Sequence, residues 1–352
     1  MKLLKLFLPL FMAGASMTAQ GQPVETISPL DDAPQETAER AIPLPEAPKS
    51  LSLGQKMARH NILNHLSLGA EIGTLGIGVD LEAPVTDWAR IRTGVSWFPK
   101  FSVPLDFSIM SYKEDGGVNS DNFSQMQELM RGLTGIEVDE DVDMEGKPNL
   151  FNFKFLVDIY PWQSDRRWRV TAGFYVGSSK IAKATNTIYE MPSLLAVNIY
   201  NRFYDYLVNE KYFDEPLYGN NYLSPDQAEI LREKMEAHGE MGIHVGDFKD
   251  GTPYMMKPDS DGLVKAWAIV NSFRPYFGFG FGSALDRKNR LYLDVDLGVL
   301  MWGGKPKIVT HEGIDLTEDV TNIAGKPGDY VDLIKKFTVY PVLTFRLSYK
   351  LF

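Results

Sequence analysis

The sequence predicts an all-β fold: a closed antiparallel transmembrane β-barrel of eight strands, with α-helical and mixed insertions in its long loops. Three observations predict it. From about residue 63 onward, short segments alternate apolar with small or polar residues at the two-residue period of a strand. The connections between them alternate between tight turns and long excursions, and tryptophans and prolines gather at the segment ends, where a bilayer interface would place them.

The chain has 352 residues, 44% of them hydrophobic and 12% aromatic, which excludes wholesale disorder. A net charge of -10 and the lack of a basic run argue against a nucleic-acid partner. The absence of cysteine removes disulfides, thiolate metal sites and an acylated lipoprotein cysteine together.

The first twenty residues, MKLLKLFLPLFMAGASMTAQ, place Lys2 and Lys5 before a short apolar run and then small residues. This is the pattern of a secretory signal, expected over 1–19, and the run is too short to span a bilayer. Residues 20–62 are rich in Pro, Glu and Ala and read as a flexible periplasmic segment, with Ser52 and Gln55 forming a capping box for a short helix over 53–62.

The barrel is expected over 63–352. Its first apolar stretch changes phase, with Leu66, Leu68, Ala70 and Ile72 even but Leu75, Ile77, Val79 and Leu81 odd. A two-residue hairpin at Gly73-Thr74 explains the slip and makes eight strands; a β-bulge is the rival explanation. The next strands follow the same rule. RIRTGVSWF sets Ile91, Thr93, Val95 and Trp97 against Arg90, Arg92, Gly94 and Ser96, and LFNFKFLVDIYPW sets Phe151, Phe153 and Phe155 against Asn152 and Lys154. WRVTAGFYVG, YFGFGFGSALD, LYLDVDLGVLMW and the closing FTVYPVLTFRLSYKLF complete the set. The connections VTDWA, QSDRR and DRKNR are short, whereas 99–149, 178–272 and 303–336 are long, the asymmetry of periplasmic turns and external loops.

One face of each strand is greasy and the other mixes glycine with charge, as in a narrow lumen filled by side chains. The expected inward charges are Glu71, Asp80, Glu82, Asp158, Asp294 and Asp296 against Arg90, Arg92, Lys154, Arg169, Arg274 and Arg346. Six oppose six, which predicts a paired structural network rather than a selective pore.

With LGAEIGTLGIGVDL, FLVDIYPW, RPYFGFGFG, LYLDVDLGVLMWGGKPKI and YPVLTFRLSYKLF in view, the chain resembles a family of small Gram-negative outer-membrane β-barrel proteins of unsettled function. The resemblance covers the strand segments, under half of the chain. It implies residence in outer-membrane lipid and delivery by the barrel-assembly machinery, which reads a terminal aromatic residue. Phe352 stands in that place, out of phase with Tyr349 and Leu351.

Chemistry is harder to find. The five histidines are His60, His65, His238, His244 and His311, and no nucleophile-base set assembles around them, so the sequence predicts no enzyme and no cofactor. The run VDEDVDMEG spaces Asp139, Asp141 and Asp143 as a calcium loop begins, but Gly146 comes two places late, and the run reads as a solvated acidic loop. In the longest insertion, MPSLLAVNIYNRFYDYLVNE predicts a helix begun by Pro192. SPDQAEILREKMEAHG predicts a second, with Ser224 as N-cap and Gly239 as stop, and a hairpin is expected near Lys249-Asp250-Gly251. Tyr200, Phe203, Tyr204 and Tyr206 are the candidate binding face of this cap for a protein or glycan at the cell surface, or else its internal packing. The expected role is binding or structural; a lipid-active or small-molecule-handling barrel, or a minor transport component, is the alternative.

Overall fold

The computed structural model describes residues 62–352 except 114–116, 120–122, 163, 214–215, 217–222, 324 and 352. The signal segment, the tether, the short helix expected at 53–62 and the terminal Phe352 therefore lie outside the described residues.

In chain order the elements are β1 (Ser67–Gly73), β2 (Gly76–Pro84), β3 (Ala89–Trp97), β4 (Val103–Lys113), β5 (Gly117–Asn119), α1 (Phe123–Thr134), β6 (Asp141–Pro148), β7 (Phe151–Ile159) and β8 (Trp168–Gly177). There follow β9 (Lys180–Asn186), α2 (Met191–Val208), α3 (Pro225–His238), β10 (Glu240–Phe248), β11 (Pro253–Met256), β12 (Lys265–Ile269), β13 (Phe273–Ala284) and β14 (Leu291–Met301). The chain ends with β15 (Lys307–Thr310), β16 (Val320–Thr321), α4 (Gly325–Lys336) and β17 (Val339–Lys350).

Eight strands close a barrel in the order β1-β17-β14-β13-β8-β7-β3-β2, all neighbours antiparallel, with Ser67↔Lys350 through Gly73↔Thr344 as the closing seam. The period-two segments thus find their partners on both sides, and no edge is left for another chain to pair with. The outer surface is a belt of exposed apolar residues, among them Leu68, Ile72, Phe153, Phe277, Phe279, Leu297 and Phe345. Such a belt in water would far exceed the apolar patches that soluble monomers tolerate, so hydrocarbon is its natural contact. Exposed tryptophans mark its margins: Trp97 at one end of the strands, and Trp88, Trp162 and Trp168 at the other. No described helix is long and apolar enough to cross a membrane.

The phase slip in the first segment is a hairpin, but one residue later than the sequence suggests. Ile72 pairs with Ile77 and Gly73 with Gly76, leaving Thr74-Leu75 at the tip. The reason is that Gly76 (φ +93°), rather than Gly73, takes the left-handed conformation only glycine adopts at no cost. Leu75 consequently turns inward, away from the belt, and is buried with Leu156, Tyr175, Tyr276, Leu300 and Val342. Thr74 anchors the tip to the last strand, its Oγ1 donating to the Pro341 carbonyl at 3.2 Å while the Tyr340 hydroxyl donates to the Thr74 carbonyl at 2.8 Å.

Beyond one end of the barrel lies a second sheet that the strand pattern did not announce, with the main order β11-β10-β4-β6-β9-β12-β15. Its central strands β4, β6, β9, β12 and β15 are continuations of the barrel neighbours β3, β7, β8, β13 and β14, in the same lateral order. Ladder bonds run through the short joints: Phe98 N–H to the Leu150 carbonyl at 2.9 Å, Asn149 N–H to Ile181 at 2.7 Å and Val270 N–H to Ser179 at 2.9 Å. From Asp141 onward the acidic run is part of this sheet and not a loop, while Asp139 and Glu140 precede the strand. In β6, Asp141 and Asp143 face out while Val142 and Met144 are buried, so the alternate aspartates are the wet side of a strand. Among the described residues no group of three or more acidic, histidine or cysteine side chains could hold a metal.

Helices cover this sheet. The α3 start follows its sequence signals, with Ser224 Oγ accepting from Gln227 N–H at 3.4 Å and Gly239 (φ +79°) ending the helix. The hairpin between β10 and β11 turns through 249–252. Leu194, Val197, Tyr200 and Leu207 of α2 pack with Ile109, Met130, Met235 and Ile243 in one core.

Glycines face inward opposite the phenylalanines of β13. A Cβ on Gly280 would collide with Asp296 Oδ1 and lie 2.6 Å from Arg169 Nε, so the lumen has no room for it. Two substitutions on adjacent residues separate the faces. Gly280→Ala overpacks the lumen and is expected to cost about 1–3 kcal/mol, and Phe279→Arg on the belt about 2–4 kcal/mol near the bilayer midplane. Reversible urea unfolding in lipid vesicles checks both, and only the second penalty should shrink in a detergent micelle.

Candidate functional site: the charged lumen and its rim

Period two sends one residue in two from each barrel strand into a space only eight strands wide, so charges far apart in the chain meet there. Arg346 of β17 is the hub. Its Nε and Nη2 donate to Asp80 Oδ1 at 2.9 and 2.7 Å, and its Nη1 to Glu82 Oε2 at 2.9 Å and Asp294 Oδ2 at 3.0 Å. Arg169 of β8 continues the chain of pairs, with Nη1 on Asp294 Oδ1 at 2.6 Å and Nη2 on Asp296 Oδ1 at 2.7 Å. Arg92 of β3 then joins Asp296 at 2.8 Å to Asp158 at 3.0 Å, and Thr171 Oγ1 donates to Asp158 at 2.6 Å. On the other side Lys154 Nζ binds Glu71 and, at 2.9 Å, Asp80, while Arg90 Nη1 donates to Glu82 at 2.7 Å.

The structure therefore brings together Glu71, Asp80, Glu82, Asp158, Asp294, Asp296, Arg90, Arg92, Lys154, Arg169 and Arg346. Arg274 is the exception and corrects the expected six-against-six pairing. It is fully buried, but its partners are Asn152 Oδ1 at 2.8 Å and the backbone carbonyls of Asn271 and Ser178 at 2.8 and 2.6 Å. The cause is its position at the start of β13, where the joints into the outer sheet leave carbonyls in need of donors. Arg274 ties barrel to cap.

Arg92, Lys154, Asp80, Asp158 and Arg346 are each no more than 2% exposed. A water-filled passage would give these side chains accessible surface, so the middle of the lumen is solid. Above them the apolar layer of Leu75, Leu156, Tyr175, Tyr276, Leu300 and Val342 closes the end nearer the outer sheet, with Tyr175 and Tyr276 edge to face at 5.6 Å. At the opposite end, beside the short turns, a vestibule of about 390 Å³ opens among Arg90, Tyr160, Arg166, Arg167 and Lys350.

The expected aromatic binding face does not form. Tyr200 and Tyr206 are buried, and Phe203 and Tyr204 pack against the same core, because α2 is apolar on more than one side and is covered by α1, α3 and β10. The Tyr200 hydroxyl donates to the Gly239 carbonyl at 3.0 Å, and burial pushes its pKa well above the usual phenol range. The histidines stay dispersed; His311 bonds the Lys257 carbonyl at 3.0 Å through Nε2. The sequence reading missed the apolar plug, since Tyr175, Tyr276 and Leu300 look like ordinary inward residues. Only the hairpin offset that sends Leu75 inside would have announced it.

Two variants probe this centre. Arg346→Met leaves Asp80, Glu82 and Asp294 with one cationic partner each, Lys154, Arg90 and Arg169, and one uncompensated negative charge in the lumen, and should destabilise by about 3–5 kcal/mol in vesicle unfolding experiments. Arg274→Met should leave barrel unfolding nearly unchanged while hydrogen exchange at Ser178–Asn186 and Lys265–Asn271 rises. Planar bilayers holding the wild-type chain should stay silent.

No protein-family profile matches the chain, and no curated protein is significantly similar to it. Among solved structures the chain is similar to CarO2 of Acinetobacter baumannii, at 13% identity and a TM-score of 0.35, over 81% of this chain and 98% of that one. Acinetobacter baumannii CarO gives 13% and 0.34 over 82% and 99%. A major outer membrane protein from Thermus thermophilus gives 13% and 0.26 over 81% and 98%.

Proposed function

We propose that the chain is an integral outer-membrane barrel whose task is to hold a folded sheet-and-helix cap at the cell surface, in a binding or structural role and without catalysis. One observation carries the reading: the barrel is filled by its own ion pairs and apolar plug, while five of its strands run on beyond the membrane belt to build the cap. A filled lumen suits an anchor better than a conduit. The short turns and both described chain ends lie together at the far side, as in outer-membrane barrels whose long connections face outward. The cap's partner is a protein or glycan of the surface, met by its outer faces rather than by the buried tyrosines of α2.

The chain has no cysteine, which makes sidedness directly measurable. A single Asp226→Cys on the exposed start of α3, expressed in intact cells, should react with a membrane-impermeant maleimide. Ser164→Cys in a short turn should react only after lysis. The reverse pattern would invert the topology, and equal labelling of both would remove the chain from the membrane.

A further inference from the structure

The vestibule at the short-turn end carries a charge that the lumen network does not use. Its lining holds five cations, Arg90, Arg166, Arg167, Arg169 and Lys350, against two carboxylates, Glu82 and Asp294. Both carboxylates are already claimed, Glu82 by Arg90 and Arg346 and Asp294 by Arg169 and Arg346. Arg167 is held by Asp165 at 2.8 Å within its own turn. Among the described residues no carboxylate lies within ion-pair reach of Arg166 or Lys350. The turn between β13 and β14, at the same end, adds Arg287, Lys288 and Arg290 against Asp286. In a chain of net charge -10 this mouth is locally positive. Burial, and after it Lys350 and Arg90, lower the pKa of His65 on the same rim, as a positive mouth requires.

Hydroxyls add a second, independent sign. Ser67, Ser348 and Tyr160 are only 6%, 4% and 6% exposed, yet among the described residues their hydroxyls have no hydrogen-bond partner. Strand phase turns all three inward, since Ser67 shares the phase of Glu71, Ser348 that of Arg346 and Tyr160 that of Asp158. Each lines the vestibule. Ser67 and Lys350 are direct partners across the closing seam, which sets a hydroxyl beside the unpaired ammonium. Tyr160 lies under Arg90, whose guanidinium carbon is 4.8 Å from its ring centroid. Buried hydroxyls are ordinarily satisfied, so unpartnered ones aimed into a cavity mark where the acceptors of a ligand go.

The donor set selects among anions. Arg166, Lys350 and the three hydroxyls together offer more N–H and O–H groups than the roughly four lone-pair sites of a carboxylate can accept. A phosphate monoester brings three terminal oxygens and a charge of about -1.5 to -2, the better match to a lining with an excess of three positive charges. The volume of about 390 Å³ falls in the range of small-molecule pockets and is generous for inorganic phosphate alone. The mouth lies inside the ring of strand ends, so a bilayer phospholipid cannot bring its headgroup there while its chains stay in the leaflet. We propose that the vestibule binds a water-soluble phosphate monoester of sugar-phosphate size, with Arg166 and Lys350 as its cationic partners and the hydroxyls of Ser67, Ser348 and Tyr160 as donors to its oxygens. The ion pairs beneath make this a binding site rather than the entrance to a passage.

The test is isothermal titration calorimetry of the full chain in an uncharged polyoxyethylene detergent and phosphate-free buffer, with glucose 6-phosphate as the probe. The expected result is one bound molecule per chain, with no heat from glucose and gluconate at least about tenfold weaker. Arg166→Gln with Lys350→Gln, and separately Ser67→Ala with Ser348→Ala, should each weaken binding at least about tenfold, with unfolding midpoints confirming that the variants are folded. If a variant does not fold, the wild type decides: its affinity must fall as salt is raised. Absence of heat from glucose 6-phosphate, or indifference to both double variants, overturns the site. Gluconate bound as tightly leaves a carboxylate site, and displacement by inorganic phosphate at equal concentration leaves a plain anion site; either overturns the proposal. None of these results moves the maleimide labelling pattern, so this inference and the anchor reading fail separately.

Discussion

The constraint on which the structure depends is that charge enclosed without water must find opposite charge. Arg346, Arg169, Arg92 and Lys154 cannot be left unpaired in a space with no accessible surface, and each isolated ion there would cost several kcal/mol. Most of the pairs they form cross the barrel rather than follow the ladder: Arg346 of β17 reaches Asp80 and Glu82 of β2, and Arg92 of β3 reaches Asp296 of β14, while Arg346–Asp294 and Arg92–Asp158 join adjacent strands. Each crossing pair selects one register between non-adjacent strands. Slipping any strand by one residue would send its carboxylates to lipid and its phenylalanines to the ion pairs, so the network specifies the closure as well as filling it.

The glycines follow from the same crowding. Gly69, Gly280 and Gly282 stand where a methyl group would collide with Arg346, Asp296 or Asp294. Bulk is thus displaced to the outside face, where the phenylalanines of β13 meet hydrocarbon. The outer sheet continues the construction: once the chain leaves the apolar belt, the same ladders persist through the joints, now covered on part of their surface by helices instead of lipid.

The barrel was legible because a narrow lumen and a lipid belt impose opposite chemistries on alternate residues, and β3, β7, β8, β13, β14 and β17 display that alternation openly. The helices α2 and α3 were legible from Pro192, Ser224 and Gly239, which act locally. The outer sheet was not. Strands such as KIAKATN and KAWAI are short and mix lysine and alanine, and β6 hid its alternation inside an acidic run. Their pairing depends on barrel neighbours distant in sequence, a tertiary cause with no local signature. The lumen charges could be named from their phase, but Arg274 shows the limit: phase gives the direction of a side chain, not the height at which it meets a partner. The α2 tyrosines failed as a surface for a related reason, since spacing along a helix does not say how many neighbours will cover it.

The continuity of staves from barrel to cap has a mechanical consequence. A lid joined by slack loops can swing while its base stays still, but here five adjacent polypeptide segments pass straight from one layer to the other, cross-linked at the joint by Arg274. A load applied to the cap from outside is transmitted as shear along those covalent rods into a rigid, salt-locked cylinder. Torque on the exposed end therefore has little hinge to dissipate in.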